Sequence, residues 1–332
     1  MSAKRALLTG GTGFVGANLA RRLLADGHDV TLAVRAGHAG WRLEGIEADL
    51  RLAPVDLGDP AAVRALVEET KPDWIFHLAA HGAYPTQTDV STIVRTNYVS
   101  TVNLVEAALA IGFEAFVNTG SSSEYGFQDH APAETELPEP NSHYAATKSA
   151  ATQYCRFVGN AKGINIPTLR LYSVYGPWEE PSRLMPALVL NGLEGGYPPL
   201  ANPAIARDYV EVADVCEAFI RAAARPIGGD GGHEPGAVYN VGSGVQTTLA
   251  QAVDAARAAF AIAAVPQWGG MAARGWDTNV WVSDSRRMDR ELDWRATTPL
   301  AVGLRRFADW FGEAPGRADW YRERIRSGAK PR

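Results

Sequence analysis

The chain opens on a short apolar run, Ala6-Leu7-Leu8-Thr9, that stops at glycines, followed by apolar residues at helical spacing from Phe14 to Asp26. A short run without polar alternation predicts a strand covered on both faces, and the second pattern predicts an amphipathic helix. The rhythm then repeats. Strands are predicted over Asp29–Val34, more weakly over Arg51–Val55, then over Trp74–Leu78, Ala115–Asn118 and Pro167–Leu171. Helices are predicted over Pro60–Glu69, Asp89–Ile111 and Ser142–Gly159. Strands alternating with helices of this length predict an α/β fold with a parallel sheet covered on both faces. After Gly176-Pro177 the rhythm changes: Gly and Pro crowd residues 191–203 and the segments shorten. Helices at Val212–Ala224, Thr248–Phe260 and Pro299–Phe311 and a strand at Val238–Val241 follow, with Gly228–Gly236 read as a flexible surface loop. The pattern divides the chain into a first domain, 1–176, and a smaller α/β lobe, 177–332, that shares elements with it.

Composition narrows the class only modestly. A formal charge of −5 over 332 residues gives no basic footprint for nucleic acid. The two cysteines, Cys155 and Cys216, lack metal-ligand or disulfide spacing and are expected on helices as small buried hydrophobes. The histidines also lack metal spacing, so no metal site is expected. No stretch is apolar and long enough to span a bilayer, and a cytoplasmic setting is the expectation.

The chemistry begins between the first strand and first helix. Gly10-Gly11-Thr12-Gly13-Phe14-Val15-Gly16 has the spacing of a dinucleotide-binding turn. Gly10 permits the tight turn, Gly13 lets backbone approach a pyrophosphate at the helix N-terminus, and Gly16 permits close helix–strand packing. With the α/β rhythm, this predicts a Rossmann-type doubly wound sheet. An acidic residue at the end of the second strand would bind a ribose 2′-hydroxyl; here Val34 stands there and Arg35 follows, which favours the 2′-phosphate of NADP(H) over NAD(H). Asp56-Leu57 suits the adenine, and Leu78-Ala79-Ala80 forms a small-residue floor under the ribose and nicotinamide. Trp41 and Arg42 either flank the adenine end or pack a loop. Further on, Tyr144 and Lys148 stand four apart in Ser142-His143-Tyr144-Ala145-Ala146-Thr147-Lys148, one helical turn from each other. An ammonium beside a phenol lowers its pKa and makes it a usable acid or base.

These blocks, with His77-Leu78-Ala79-Ala80, Asn97, Ser121 through Gly126, Arg207-Asp208-Tyr209-Val210 and Asn240-Val241-Gly242-Ser243-Gly244, resemble the extended short-chain dehydrogenase/reductases that act as nucleotide-sugar epimerases, dehydratases and reductases. The resemblance implies Tyr144 as acid/base, Lys148 as the nicotinamide-ribose and tyrosine partner, and Ser121 as the hydroxyl on the reacting sugar oxygen, with Ser122 the fallback. Asn97 would brace the active-site helix beside the cofactor, and Tyr172 and Val174 would lie near the nicotinamide. On the substrate side it implies Arg207 and Arg274 on the diphosphate, each otherwise a surface ion pair. Asn191 and Arg183 would be nearby, and His81 and Tyr84, with Ser122 and Ser123, would lie at the sugar. The partner would be a nucleotide-diphosphate sugar, and two long helices per subunit, 89–111 and 142–159, would pair into a homodimer.

Departures from the family pattern sort the reactions. A large group of 4,6-dehydratases carries Asp-Glu after its catalytic threonine; here Ser122 and Ser123 hold those places, and Glu124 comes one position late, on the opposite side of an extended segment. Elimination of water is therefore disfavoured, and Glu124 is expected to serve a cap or lobe contact. With Arg35, the leading expectation is an NADPH-dependent reductase of a nucleotide-linked 4-keto-6-deoxyhexose. The alternative is an epimerase that oxidises and re-reduces one sugar carbon; a catalytically silent binder stands last.

Overall fold

The computed structural model describes residues 2–229, 232–271, 275 and 277–327. In chain order the first half runs β1 (Arg5–Thr9), α1 (Phe14–Ala25), β2 (Asp29–Val34), β3 (Arg51–Pro54), α2 (Pro60–Thr70), β4 (Trp74–His77), α3 (Val90–Val94), α4 (Ser100–Ile111), β5 (Ala115–Ser121), α5 (His143–Lys162) and β6 (Thr168–Leu171). Then come β7 (Ser173–Tyr175), α6 (Leu184–Leu193), β8 (Ala206–Glu211), α7 (Val212–Ala224), β9 (Val238–Val241), β10 (Gln246–Thr248), α8 (Leu249–Phe260), α9 (Arg286–Leu292), α10 (Leu300–Gly312) and α11 (Arg317–Ser327).

Seven parallel strands form one sheet in the order β3-β2-β1-β4-β5-β6-β9. The alternation of side chains along each strand divides the apolar runs between two cores. Ala6, Leu8, Trp74, Phe76, Ala115 and Val117 face α1 and α7, while Leu7, Ile75 and Phe116 face α2, α4 and α5. Because β9 and α7 come from the second half of the chain, the two regions interleave. A third core, under α6, α8, α10 and α11, gathers Trp178, Leu188, Phe307, Trp310 and Tyr321, and the small sheet β10-β8-β7 contributes Tyr175 and Tyr209 to it. Strand order reverses between β1 and β4, so a crevice opens beyond their carboxyl ends, where doubly wound sheets hold ligands.

Three segments depart from the sequence reading. The expected helix 89–111 is interrupted by a π-turn at Arg95–Val99, where the hydroxyls of Ser100 and Thr101 bond back to the carbonyls of Thr96 and Asn97. The active-site helix does not stop at Gly159 but runs to Lys162; Gly159 is needed inside it because a Cβ there would meet the Gly236 backbone at 2.5 Å. That contact also pins one end of the expected flexible loop 228–236, in which His233 is buried; Asp230 and Gly231 lie outside the described residues. Cys155 and Cys216 are free, buried and helical, as expected.

Candidate active site

The glycine turn makes a backbone cradle. Gly10 has φ +70, and a Cβ on it would sit 2.6 Å from the Leu78 carbonyl carbon and the Ala79 nitrogen. At Gly16 a Cβ would lie 2.3 Å from the Gly10 oxygen, so only glycine lets α1 seat this close to the end of β1. Gly13 is the N-cap of α1 and no side chain caps that helix, which leaves its first N–H groups facing the crevice mouth. These features fit the pyrophosphate of a dinucleotide. Phe14 and Val15 pack back onto the core, and Leu78 and Val174 join the same layer. Ala80 is exposed at the rim.

Arg35 follows the last residue of β2 and is exposed; its charge reaches His81 and helps hold that imidazole's pKa down, after burial. Asp56 accepts from the Gly58 N–H at 2.8 Å and pairs with Arg95 at 2.7 Å, while the Leu57 carbonyl takes the Asn103 amide at 3.0 Å. Trp41 and Arg42 serve the packing alternative. The Arg42 guanidinium is buried against Glu180 at 3.0 Å and the Trp178 carbonyl at 2.8 Å, and Trp41 stacks among Trp178, Trp320 and Tyr321.

A buried polar chain links this turn to α5. Thr9 Oγ1 bonds His77 Nδ1 at 2.7 Å, His77 Nε2 bonds Thr101 Oγ1 at 2.9 Å, and the Thr101 hydroxyl donates to the Asn97 carbonyl at 2.9 Å. The Asn97 amide donates to the His81 carbonyl at 2.8 Å and to Thr147 Oγ1 at 2.9 Å, and its oxygen accepts from the His81 N–H at 2.8 Å. Asn97 thus braces both the loop after β4 and α5, as expected of it. Burial, helped by Lys148, pushes the His77 pKa down to about 3, so His77 is a neutral link. The sequence reading took Asn97 from the family pattern and gave Thr9, His77, Thr101 and Thr147 no role, because these residues meet only when two strands and two helices pack.

Ser121 ends β5, and Tyr144 and Lys148 lie on α5, whose N-cap Ser142 accepts from the Ala145 N–H at 3.1 Å. Tyr144 is half-buried, its hydroxyl beside that of Ser121, and the charges of Glu124, Arg183 and the Tyr84 phenol also reach it. Here the sequence reading needs correction. Tyr144 is shifted upward, not downward, because burial dominates; the Ser121 hydrogen bond only partly offsets it. The Lys148 ammonium instead donates to the Thr119 carbonyl at 2.7 Å, and burial brings its own pKa down to about 8.

The Arg183 guanidinium lies over the Tyr84 ring, 4.9 Å from its centre, so these two substrate candidates do converge on the Tyr144 site with Ser121. Ser122 is buried and starts the 3₁₀ turn Ser122–Tyr125, where the Ser123 N–H donates to Ser121 Oγ at 3.2 Å. Glu124 closes that turn as a reciprocal cap and is wholly buried against Arg170 at 2.8 Å. Tyr172 is buried edge-on to Trp281, 6.5 Å between ring centres, and its hydroxyl has no partner among the described residues. Arg207 pairs with Asp277 at 3.2 Å and donates to the Ala206 carbonyl at 2.7 Å. The Asn191 amide donates back to the Ala187 carbonyl of its own helix at 2.8 Å. Neither of these two groups therefore stands free in this structure, and Arg274 lies outside the described residues. Among the described residues no cluster of metal ligands occurs and no helix is long and apolar enough to cross a membrane.

Comparison with known proteins decides what this arrangement belongs to. Residues 6–242 match the model of the NAD dependent epimerase/dehydratase family. The chain belongs to that family. Among curated epimerase/dehydratase relatives, the UDP-glucose 4-epimerase of Mycolicibacterium smegmatis is 32% identical over 317 residues, 92% of this chain and 98% of the relative. A dTDP-glucose 4,6-dehydratase of Streptomyces antibioticus is 28% identical, covering 95% and 93% of the two chains. The solved UDP-glucose 4-epimerase of Thermus thermophilus, in complex with NAD, superposes with a TM-score of 0.80 at 27% identity, covering 93% of this chain and 99% of that one. The enzyme thus has the family's extended Rossmann-type architecture, and nucleotide-sugar chemistry with a nicotinamide dinucleotide is the family's business.

Proposed function

We propose that this enzyme inverts a hydroxyl-bearing carbon, carbon 4, of a uridine diphosphate hexose. The observation that carries the reading is the state of the carboxylates around the Ser121–Tyr144–Lys148 set. Elimination of water needs a free carboxyl pair at the sugar, and the places after Ser121 hold Ser122 and Ser123 while Glu124 is consumed by Arg170. Acid/base chemistry at one oxygen remains. Similarity to a UDP-glucose 4-epimerase along almost the whole chain supports this over the reductase that the sequence alone put first.

The glycine cradle fits a dinucleotide through Gly10, Gly13, Phe14, Val15 and Gly16, with Asp56, Leu57, Leu78, Ala79, Ala80 and Val174 along its length. A nicotinamide dinucleotide held there would supply the hydride acceptor and donor for the sugar carbon. The chain's own residues manage the proton. Tyr144 takes it from the sugar hydroxyl during oxidation and returns it during reduction; Ser121 hydrogen-bonds the same oxygen; Lys148 holds the positive charge that balances phenolate. Tyr84 and Arg183 flank the sugar, and Arg207 meets the diphosphate after leaving Asp277. The test is incubation with UDP-glucose or UDP-galactose and NAD, read by NMR and mass: a change of configuration at constant mass supports the reading.

One observation favours the reductase as the second reading. Arg35, exposed at the end of β2 with no acidic neighbour at that position, suits a 2′-phosphate. The prediction is that Arg35→Asp weakens NADP binding by ~10-fold or more and strengthens NAD binding, read by calorimetry without any sugar. Unchanged affinity for both cofactors contradicts a role for Arg35 there.

We also infer a homodimer built on α3, α4 and α5. Val90 and Val94 are exposed on α3, Val99 is exposed on the turn that joins it to α4, and Phe157 on α5 is 66% exposed. Phe157→Glu is expected to shift sedimentation at micromolar concentration from dimer to monomer. A wild-type monomer at that concentration refutes the dimer. The two free cysteines and the small-molecule chemistry fit a cytoplasmic enzyme.

A further inference from the structure

Behind Ser121 lies a buried ionic network that the family chemistry does not call for. Glu124 Oε1 accepts from the Ser121 backbone N–H and from the Thr152 hydroxyl, each at 2.9 Å, and Oε2 accepts from Arg170 Nε at 2.8 Å. Arg170 Nη1 donates to the Tyr125 hydroxyl at 2.7 Å, and Tyr125 donates to Asn240 Oδ1 at 2.8 Å. Asn240 in turn holds the Pro132 carbonyl at 2.8 Å and the Asp284 carbonyl at 3.1 Å. One path of hydrogen bonds therefore runs from the catalytic serine through β6 and β9 to the loop before α9. Both side chains of the ion pair are essentially inaccessible, at 1% and 0% exposure. A buried pair pays heavy desolvation and is weak evidence of a stabilising purpose. Its placement is more telling. Among the described residues, Glu124 is the carboxylate whose field reaches both Tyr144 and Lys148.

We propose that Glu124 is a positioning residue that fixes Ser121 through its backbone N–H and, through Thr152 one turn beyond Lys148, is held against the Lys148 face of α5, with Arg170 and Asn240 holding Glu124 in place. The groups facing it are Lys148, Tyr144, Thr152 and Cys155 on α5, Arg170 on β6, and Tyr125 on its own turn; the charge of Lys148 also reaches His77 on β4. Glu124 favours the ammonium of Lys148 and disfavours the phenolate of Tyr144. Removing its charge therefore lowers both pKa values, and the pH profile of catalysis moves bodily toward acid. The catalytic part of this inference rests on the acid/base reading above; the Lys148 part does not.

The chain has five lysines, so labelled lysine ε-carbons give a resolvable NMR titration, with Lys148→Arg assigning the signal. In Glu124→Gln the Lys148 midpoint is expected to fall by about one pH unit, as does removal of one near opposite charge. The kcat optimum should fall with it while KM for the sugar nucleotide changes little. If that variant does not fold, Glu124→Gln with Arg170→Met removes the unpaired guanidinium and keeps the test. A folded variant whose Lys148 titrates as in wild type overturns the inference. If the Lys148 midpoint falls but neither protein alters any nucleotide sugar, the electrostatic assignment stands and the epimerase reading fails instead.

Discussion

Replacing Tyr144 with phenylalanine is expected to lower kcat by ~10²–10⁴-fold, the usual contribution of a positioned general acid/base. The phenol's hydroxyl is its only reactive atom, and the Ser121 side chain lies beside it. Phenylalanine keeps the ring and its packing on α5, so the fold and the affinity for a sugar nucleotide should hold within a few-fold. Calorimetric binding of UDP-glucose beside the rate assay separates the two. Ser121 alone cannot substitute, because its hydroxyl is neutral and Lys148 is turned to Thr119. Turnover near the wild-type rate in Tyr144→Phe would remove Tyr144 from the chemistry and with it the proton path described above.

The second large effect lies at Gly16. An alanine Cβ there would sit 2.3 Å from the Gly10 oxygen and 2.9 Å from the Gly10 carbonyl carbon and the Gly11 Cα, all backbone. Nothing flexible can yield, so α1 must lift from the end of β1. The expected destabilisation is about 3 kcal/mol, the upper part of the range for overpacking. Lifting α1 also moves the N–H groups that would meet a pyrophosphate, so dinucleotide affinity should fall by more than ~10-fold. Denaturant unfolding and calorimetry check the two parts. A Gly16→Ala protein with wild-type stability and wild-type cofactor binding would show that the cradle is not rigid.

The parallel sheet was legible because Ala6–Thr9, Trp74–His77 and Ala115–Asn118 are buried on both faces, and such strands read as plain apolar runs. The glycine turn was legible because each glycine there answers a steric demand. That Tyr144 and Lys148 share one face of a helix was legible through their i, i+4 spacing, and α5 carries both. Other parts left little trace. β7 and β10 have three residues each, too short for a period to emerge. α11 is so rich in charge that Tyr321 is its one buried residue, and it is held by aromatic contacts to Trp310 and Trp41 from distant segments. The direction of the Tyr144 shift was misread because spacing reports neighbours on one helix, whereas burial by the whole fold sets the sign. The capping role expected of Glu124 is seen in its turn, but its partner Arg170 lies 46 residues on, on an adjacent strand, and no local pattern announces it.

The most direct measurement uses UDP-glucose carrying deuterium at carbon 4, incubated with the purified enzyme and NAD and analysed by NMR and mass. The account predicts UDP-galactose of unchanged mass, with the deuterium still on carbon 4, because the protein handles only the hydroxyl proton. A product lighter by the mass of water, or no change of configuration in UDP-glucose together with consumption of NADPH on a 4-keto sugar nucleotide, would contradict it.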